Sequence, residues 1–104
     1  GMTRGGCHPL DAPALLEMAR HLPGLRLAGL STHFAAADDA DMERTRRQWE
    51  RFAPLVSRFR AMAPWGAVHA SNSAAAMRFP PAALDWVRGG LVTYGVEPYP
   101  HSAE

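Results

Sequence analysis

Apolar positions along the chain follow two spacings in turn, and these spacings predict helices and short strands. Between residues 11 and 22 apolar side chains recur every three or four residues, which is typical of one face of a helix. Residues 25–32 form a short, mostly apolar run that predicts a buried strand. Helical spacing returns over residues 42–59, where Pro54 should kink or split the helix because it lacks an N–H group.

The second half of the chain repeats this alternation with shorter elements. Residues 67–70 predict a second strand, residues 72–77 a short helix, and residues 84–87 a third strand, followed by a loop over residues 88–91. Alternating helices and strands predict an α/β protein with a parallel sheet. Because three strands cannot close a barrel and a complete (β/α)8 barrel needs about 250 residues, we interpret the chain as part of a cut barrel.

Residues that could bind a ligand follow each predicted strand. His33 follows the first strand, Asn72 and Ser73 the second, and Arg88 and Gly90 the third. Functional groups of α/β barrels lie at the carboxyl ends of strands, so these side chains are expected to meet at one rim. From the residues alone, Asn72 and Ser73 either cap the short helix or help to hold a phosphate. Arg88 is either a surface arginine or a firm hydrogen-bond donor, and His33 either a buried structural histidine or part of a site.

Composition narrows the classes of function. The 104 residues carry a net charge of +1, which gives no reason to expect nucleic acid or a membrane as partner. No apolar run approaches the ~20 residues that span a bilayer, and no signal peptide is recognisable, so a cytoplasmic location is expected. The single cysteine, Cys7, is expected to be a plain buried or half-buried thiol, and no ligand spacing predicts a metal site. All eleven basic residues are arginine, so these residues include no lysine.

Four short segments occur in an order that resembles the alanine racemase family. Residues 1–4 read Gly-Met-Thr-Arg, residues 32–35 Thr-His-Phe-Ala, residues 70–75 Ala-Ser-Asn-Ser-Ala-Ala, and residues 87–95 Val-Arg-Gly-Gly-Leu-Val-Thr-Tyr-Gly. The resemblance covers nearly the whole chain. Its most specific parts are Asn-Ser-Ala-Ala and the Arg-x-Gly-x3-Tyr-Gly element. Gly5 and Gly89 depart from the aliphatic residue and the proline that are usual in the family, which loosens two loops.

The resemblance implies a fold and an activity. Members of the family pair an N-terminal (β/α)8 barrel with a C-terminal β domain and act as homodimers. The chain would be the C-terminal portion of an incomplete TIM barrel, about strands 5–8, with residues 1–97 in the barrel domain and residues 98–104 at the start of the linker to the β domain. It would belong to an isomerase that interconverts L- and D-alanine through a pyridoxal phosphate aldimine and two-base proton transfer, supplying D-alanine for peptidoglycan.

The resemblance also implies roles for individual residues. The cofactor pyridoxal 5'-phosphate would be bound by Arg4, Asn72, Ser73, Arg88, Gly90 and Leu91, and Met2 would lie near the substrate carboxylate. Arg88 would donate to the pyridine nitrogen, and His33 would support it from behind and link it to a tyrosine base of the partner subunit. The two bases, an early barrel lysine and that tyrosine, belong to regions of the family outside these residues.

Two alternatives stay open. The first is another barrel-type pyridoxal-phosphate amino-acid racemase, because substrate choice depends on residues outside this sequence. The second is a non-catalytic protein, either a remnant or a module that binds a phosphorylated small molecule. The absence of lysine favours the second alternative if the 104 residues are the whole product.

Overall fold

A computed structural model describes residues 2–100 and shows helices that alternate with parallel strands. Two short strands, β1 (Gly29–Ser31) and β2 (Ala67–His69), pair in parallel, with Leu30 opposite Val68. The α/β prediction is therefore confirmed. The elements in chain order are α1 (Ala12–His21), β1 (Gly29–Ser31), α2 (Glu43–Met62), β2 (Ala67–His69), α3 (Ser73–Arg78), and two 3₁₀ turns (Pro80–Ala82 and Leu91–Tyr94).

The two long helices lie close to their predicted positions and pack against each other. Pro54 was expected to kink or split the second helix. The split is wrong, because α2 is one 20-residue helix, and the kink stays a prediction. Proline removes one backbone hydrogen bond, but Phe52, Val56 and Phe59 are buried on both sides of it and hold both halves of the helix in the core. Within residues 2–100 no helix is long and apolar enough to cross a membrane.

The first strand is shorter than its apolar run predicted. It begins at Gly29, four residues after the predicted start at residue 25. The Trp65 indole N–H donates to the carbonyl oxygen of Leu27 at 3.0 Å, and the Arg26 guanidinium lies over the Trp65 ring. Because a side chain occupies the Leu27 carbonyl, the ladder to β2 starts only at the residues that follow.

The prediction of a third strand over residues 84–87 is wrong. In the described residues, this segment forms one isolated parallel bridge, between His69 and Trp86. Leu84 has a φ of 49°, which is outside the extended region, so the segment cannot enter a strand there. The Asp85 carboxylate then accepts a hydrogen bond from the Val68 N–H at 2.7 Å. The segment nevertheless runs parallel to β2 on the side away from β1, since His69 pairs with both neighbours.

The core lies between the two-stranded sheet and the helices that follow its strands. Phe34, Phe59 and Val68 are almost completely buried at its centre. Gly66 makes that packing possible: a Cβ atom there would lie 2.5 Å from the Phe59 ring. The expectation of a buried or half-buried Cys7 is wrong, because the cysteine is exposed, as are all of residues 2–10.

Candidate functional site

Arg88 spans the carboxyl ends of both strands. Its Nη2 atom donates to the carbonyl oxygen of Thr32 at 2.8 Å, just after β1, and to that of Ala70 at 3.2 Å, just after β2. Its backbone N–H donates to the carbonyl oxygen of Ser71 at 2.9 Å. Parallel strands end at the same edge of a sheet, so one guanidinium can reach both ends. The arginine therefore ties three successive chain segments together at one rim.

Two histidines accept hydrogen bonds from the same guanidinium. Arg88 Nη1 contacts His69 Nδ1, and Arg88 Nη2 lies 3.3 Å from His33 Nδ1. Because a guanidinium can only donate, both Nδ1 atoms must be unprotonated, which places the proton of each neutral ring on Nε2. Burial, and then the charge of Arg88, lowers the pKa of both histidines, and Arg4 lowers that of His33 further. His69 also stacks on Trp86, with ring centroids 5.6 Å apart.

We expect the stability of the folded protein to fall as the pH drops below about 6.5, the ordinary histidine pKa. In the unfolded chain His33 and His69 protonate near that pH, whereas the folded protein resists because both pKa values are lowered. The unfolded state then binds more protons, so the free energy of unfolding decreases until the pH passes below the folded-state pKa values. Urea unfolding between pH 5 and pH 8 measures this dependence.

The control is a double variant, His33→Gln with His69→Gln. Glutamine keeps an oxygen that can accept from Arg88 but does not titrate in this range. The fall in stability below pH 6.5 should become clearly smaller in this variant. An unchanged pH dependence would show that other groups carry the effect and that burial and Arg88 do not hold the two imidazoles neutral.

Ser73 gathers backbone donors from the loop that follows Arg88. Its Oγ atom accepts hydrogen bonds from the Gly90 N–H at 2.9 Å and the Val92 N–H at 3.3 Å. A hydroxyl has two acceptor lone pairs and one hydrogen, so the Ser73 O–H remains able to donate. An incoming anion can take the place of the serine oxygen as acceptor. The cluster therefore offers one hydroxyl and two backbone N–H groups to a phosphate-like ligand.

Asn72 acts as a helix cap. Its Oδ1 atom accepts from the Ala75 N–H at 3.0 Å, and its Nδ2 atom donates to the carbonyl oxygen of Phe34 at 3.3 Å. The capping interpretation of this residue is therefore confirmed. Its contact with a phosphate stays a prediction, and it would use the second hydrogen on Nδ2.

A cavity of about 370 Å³ lies beside the hydrogen-bonded groups around Arg88 and Ser73. Seven of the eight predicted site residues line it: Met2, His33, Asn72, Ser73, Arg88, Gly90 and Leu91. The eighth, Arg4, is not among the described lining residues, although its charge lowers the pKa of His33. The structure thus brings the predicted residues to one place, while the roles given to them stay predictions.

Sequence reasoning missed some residues of the site. His69 contacts Arg88 directly, and its position at the end of β2 was the same signal that marked His33 after β1. Asp38 lines the cavity, although no role in the site was predicted for it. Pro98 is buried and also lines the cavity, and nothing in the sequence indicated it. Among residues 2–100, no group of three or more His, Cys, Asp or Glu side chains is placed to hold a metal ion.

Comparison with known proteins gives a consistent result. The family model described as alanine racemase, N-terminal domain, matches residues 1–98. The chain is 42% identical over 102 residues to the alanine racemase of Treponema pallidum, covering 94% of this chain and 27% of that protein. It is 37% identical over 101 residues to the alanine racemase of Halothermothrix orenii, covering 94% of this chain and 26% of that protein.

Solved structures agree with the sequence relatives. The chain superimposes on the alanine racemase of a D-cycloserine-producing Streptomyces lavendulae with a TM-score of 0.83 and 31% identity, covering 96% of this chain and 27% of that one. For the biosynthetic alanine racemase of Pseudomonas aeruginosa the TM-score is 0.79 and the identity 34%, covering 95% of this chain and 26% of that one. The chain therefore spans about a quarter of the length of the relatives it matches.

Proposed function

The chain belongs to the alanine racemase N-terminal domain family, and from that membership we propose that it forms part of a pyridoxal-phosphate-dependent enzyme that interconverts L- and D-alanine. One observation carries the proposal. The Arg88 guanidinium and the donor groups around Ser73 line the same cavity at the carboxyl ends of the strands. Barrel enzymes bind their ligands at this end of the strands. A larger protein that contains this chain would carry out the reaction.

The donors on these residues fit a phosphate at one end of the cavity and a ring acceptor at the other. Ser73 supplies a free O–H next to two backbone N–H groups. A guanidinium carries five N–H donors. Within the described part of the chain, the contacts of Arg88 use Nη1 once and both hydrogens of Nη2, which leaves its Nε–H and a second Nη1–H. Bound pyridoxal phosphate would withdraw electrons from the substrate α-carbon, so that its proton can leave.

Arg88 would donate a hydrogen bond to the ring nitrogen without giving up its proton. Burial lowers the pKa of Arg88, but a guanidinium starts from so high a value that it stays charged at neutral pH. Arg88 would thereby keep a ring acceptor largely unprotonated, which would favour brief removal and return of the substrate proton over side reactions. His33 would hold Arg88 in place and connect it to a tyrosine base of a partner subunit.

Family resemblance supports the remaining parts of the proposal. The chain would contribute about strands 5–8 of a TIM barrel, with the linker to a C-terminal β domain beginning near residue 98; residues 101–104 lie outside the described part of the chain. The parallel order of β1, β2 and the segment around Trp86 is what successive barrel strands require. The complete enzyme would be a cytoplasmic homodimer that supplies D-alanine for peptidoglycan. Met2 would lie near the substrate carboxylate, Arg4 near the cofactor ring, and Gly90 and Leu91 at the phosphate.

The 104-residue chain by itself is expected not to racemise alanine when pyridoxal phosphate is added. The chain contains no lysine, so it has no side-chain amine to bond the cofactor. A longer product of the same reading frame that includes a lysine-bearing segment should convert L-alanine to D-alanine. Chiral separation of the products after incubation with either enantiomer measures both proteins.

The competing interpretation is a module that binds a phosphorylated ligand without catalysis, which the lack of lysine favours if the 104 residues are the whole product. It predicts that the longer product binds pyridoxal phosphate or inorganic phosphate but forms no D-alanine. A racemase rate from the short chain that is clearly above that of free cofactor, and that disappears in Arg88→Ala, would overturn the expectation for the short chain.

A further inference from the structure

The segment that leaves β1 lines the cavity, and the backbone at its far end is bound by a side chain from α3, while Arg44 of α2 pairs with the Asp39 carboxylate at 3.3 Å. Arg78 Nη1 donates to the carbonyl oxygens of Ala37 at 3.0 Å and Asp39 at 2.7 Å, and Nη2 donates to that of Ala40 at 3.3 Å. Three backbone acceptors within four residues meet one planar cation. Asp38, which lines the cavity, lies in the middle of this clamped stretch.

The same guanidinium also contacts the last described part of the chain. The Arg78 Cζ atom lies 5.3 Å from the centroid of the Tyr99 ring, a cation–π geometry. The preceding residue, Pro98, is buried and lines the cavity. Arg78 therefore joins two segments, residues 37–40 and residues 98–99, that are far apart in sequence and each contribute a cavity wall.

The near end of the first segment has separate anchors. Gln48 donates to the carbonyl oxygen of His33 at 2.7 Å and accepts from the Ala35 N–H at 3.1 Å. The ring of Phe34 packs edge-on against Phe79, with centroids 5.9 Å apart. Loss of Arg78 would therefore loosen the far end of the segment while His33 keeps its position.

We propose that Arg78 is a positioning residue that fixes the cavity walls at Asp38 and Pro98, which we call the mouth, by clamping residues 37–40 and residues 98–99 together. It is not among the described residues that line the cavity, so it acts through Asp38 and Pro98. The inference rests on the proposed function for its effect on alanine turnover, whereas the clamp itself can be measured without activity.

Hydrogen exchange tests the clamp in the full-length protein. Arg78→Met keeps an apolar stem but removes every donor, so the amides of residues 36–41 and those of Val96, Glu97 and Tyr99 should all exchange faster. Peptides over β1 and β2 should be unchanged. The control is Arg58→Met, which alters an exposed arginine on α2 and should leave both segments as they are. No change in either segment, or an equal increase over the whole chain, would overturn the clamp.

Kinetics test the effect on the mouth in the holoenzyme. Arg78→Met should raise the KM for alanine by about 10-fold, because a small misplacement of a wall weakens substrate positioning. The kcat should stay within about 2-fold, since the Arg88 network keeps its own contacts. Arg78→Lys should recover part of the loss, because an ammonium keeps the charge but cannot serve three carbonyls with a planar fork.

The outcomes separate the inference from the proposed function. An unchanged KM together with faster exchange in both segments would overturn the role at the mouth. An equal fall in kcat and kcat/KM would also overturn it, because that would place Arg78 in the chemical step. If the unaltered full-length protein does not racemise alanine, the proposed function fails, and hydrogen exchange still decides whether Arg78 clamps the two segments.

Discussion

Arg88→Glu in the full-length protein should lower the rate of alanine racemisation by about 100-fold or more, the usual loss when a positioned group at a reacting centre is removed. Glutamate at this position carries no donor when ionised. The carbonyl oxygens of Thr32 and Ala70 would lose their hydrogen bonds, and a carboxylate would replace a cation beside both histidines. Initial rates in both directions, followed by the change in optical rotation, measure the loss.

Two further variants separate the role of the ring partner from that of the phosphate site. Arg88→Lys should lose less activity, because it keeps the charge but not the fork. Ser73→Ala should mainly weaken cofactor binding, by about 1.5–3 kcal/mol for one lost hydrogen bond to a charged group. Cofactor titration followed by absorbance compares the three variants. If Arg88→Glu and Ser73→Ala weakened cofactor binding equally and left the rate at saturating cofactor the same, the assignment of Arg88 to the ring would be wrong.

Gly29→Ala should lower the free energy of unfolding by about 1–3 kcal/mol, the typical cost of an overpacked position. An added Cβ would lie 2.7 Å from the carbonyl oxygen of Ala67, its partner across the parallel pair. That neighbour is backbone within a strand, so relief requires β1 and β2 to separate. The separation would strain the adjoining hydrogen bond between the Ala67 N–H and the carbonyl oxygen of Ala28. Urea unfolding of the full-length protein measures the change.

Gly5→Ala is the matched control for this substitution. Among residues 2–100, no atom would lie within 4 Å of its Cβ, and its backbone is not left-handed. The change in stability there should stay within about 0.5 kcal/mol, as for ordinary surface substitutions. Equal effects at the two glycines would mean that backbone entropy and not the contact with Ala67 decides the cost. Gly29→Val should be more damaging than Gly29→Ala if the close approach is the cause.

The sequence predicted most of the secondary structure because the relevant signals are local. The 3–4 spacing of apolar residues in α1 and α2 reflects which face of each helix meets the core, and both helices lie close to their predicted positions. Asn72 was a cap candidate from its residue type alone, and it caps α3. The strand ends also placed His33, Ser73 and Arg88 on one rim, because parallel strands end at the same edge.

The errors arose where a distant contact overrode a local preference. Residues 84–87 are apolar enough for a strand, but the Asp85 carboxylate takes the Val68 N–H, and Arg60 holds that carboxylate at 2.9 Å and 3.0 Å. The first strand is shortened because the Trp65 indole occupies the Leu27 carbonyl. The apolar spacing of the sequence cannot predict either hydrogen bond, because Val68 and Asp85 are 17 residues apart in the chain and Leu27 and Trp65 are 38 apart.

By itself, the sequence determined the alternation of helices and strands, the family and most, but not all, of the residues that meet at the rim. Only the tertiary structure decided which acceptors each cation meets. Arg88 joins two strand ends and two histidines, and these partners lie 18 to 56 residues away in the chain. Arg78 joins two cavity walls, and its partners lie as many as 41 residues away. Such contacts depend on how the elements pack in three dimensions, whereas a hydrophobic period depends only on neighbours along the chain.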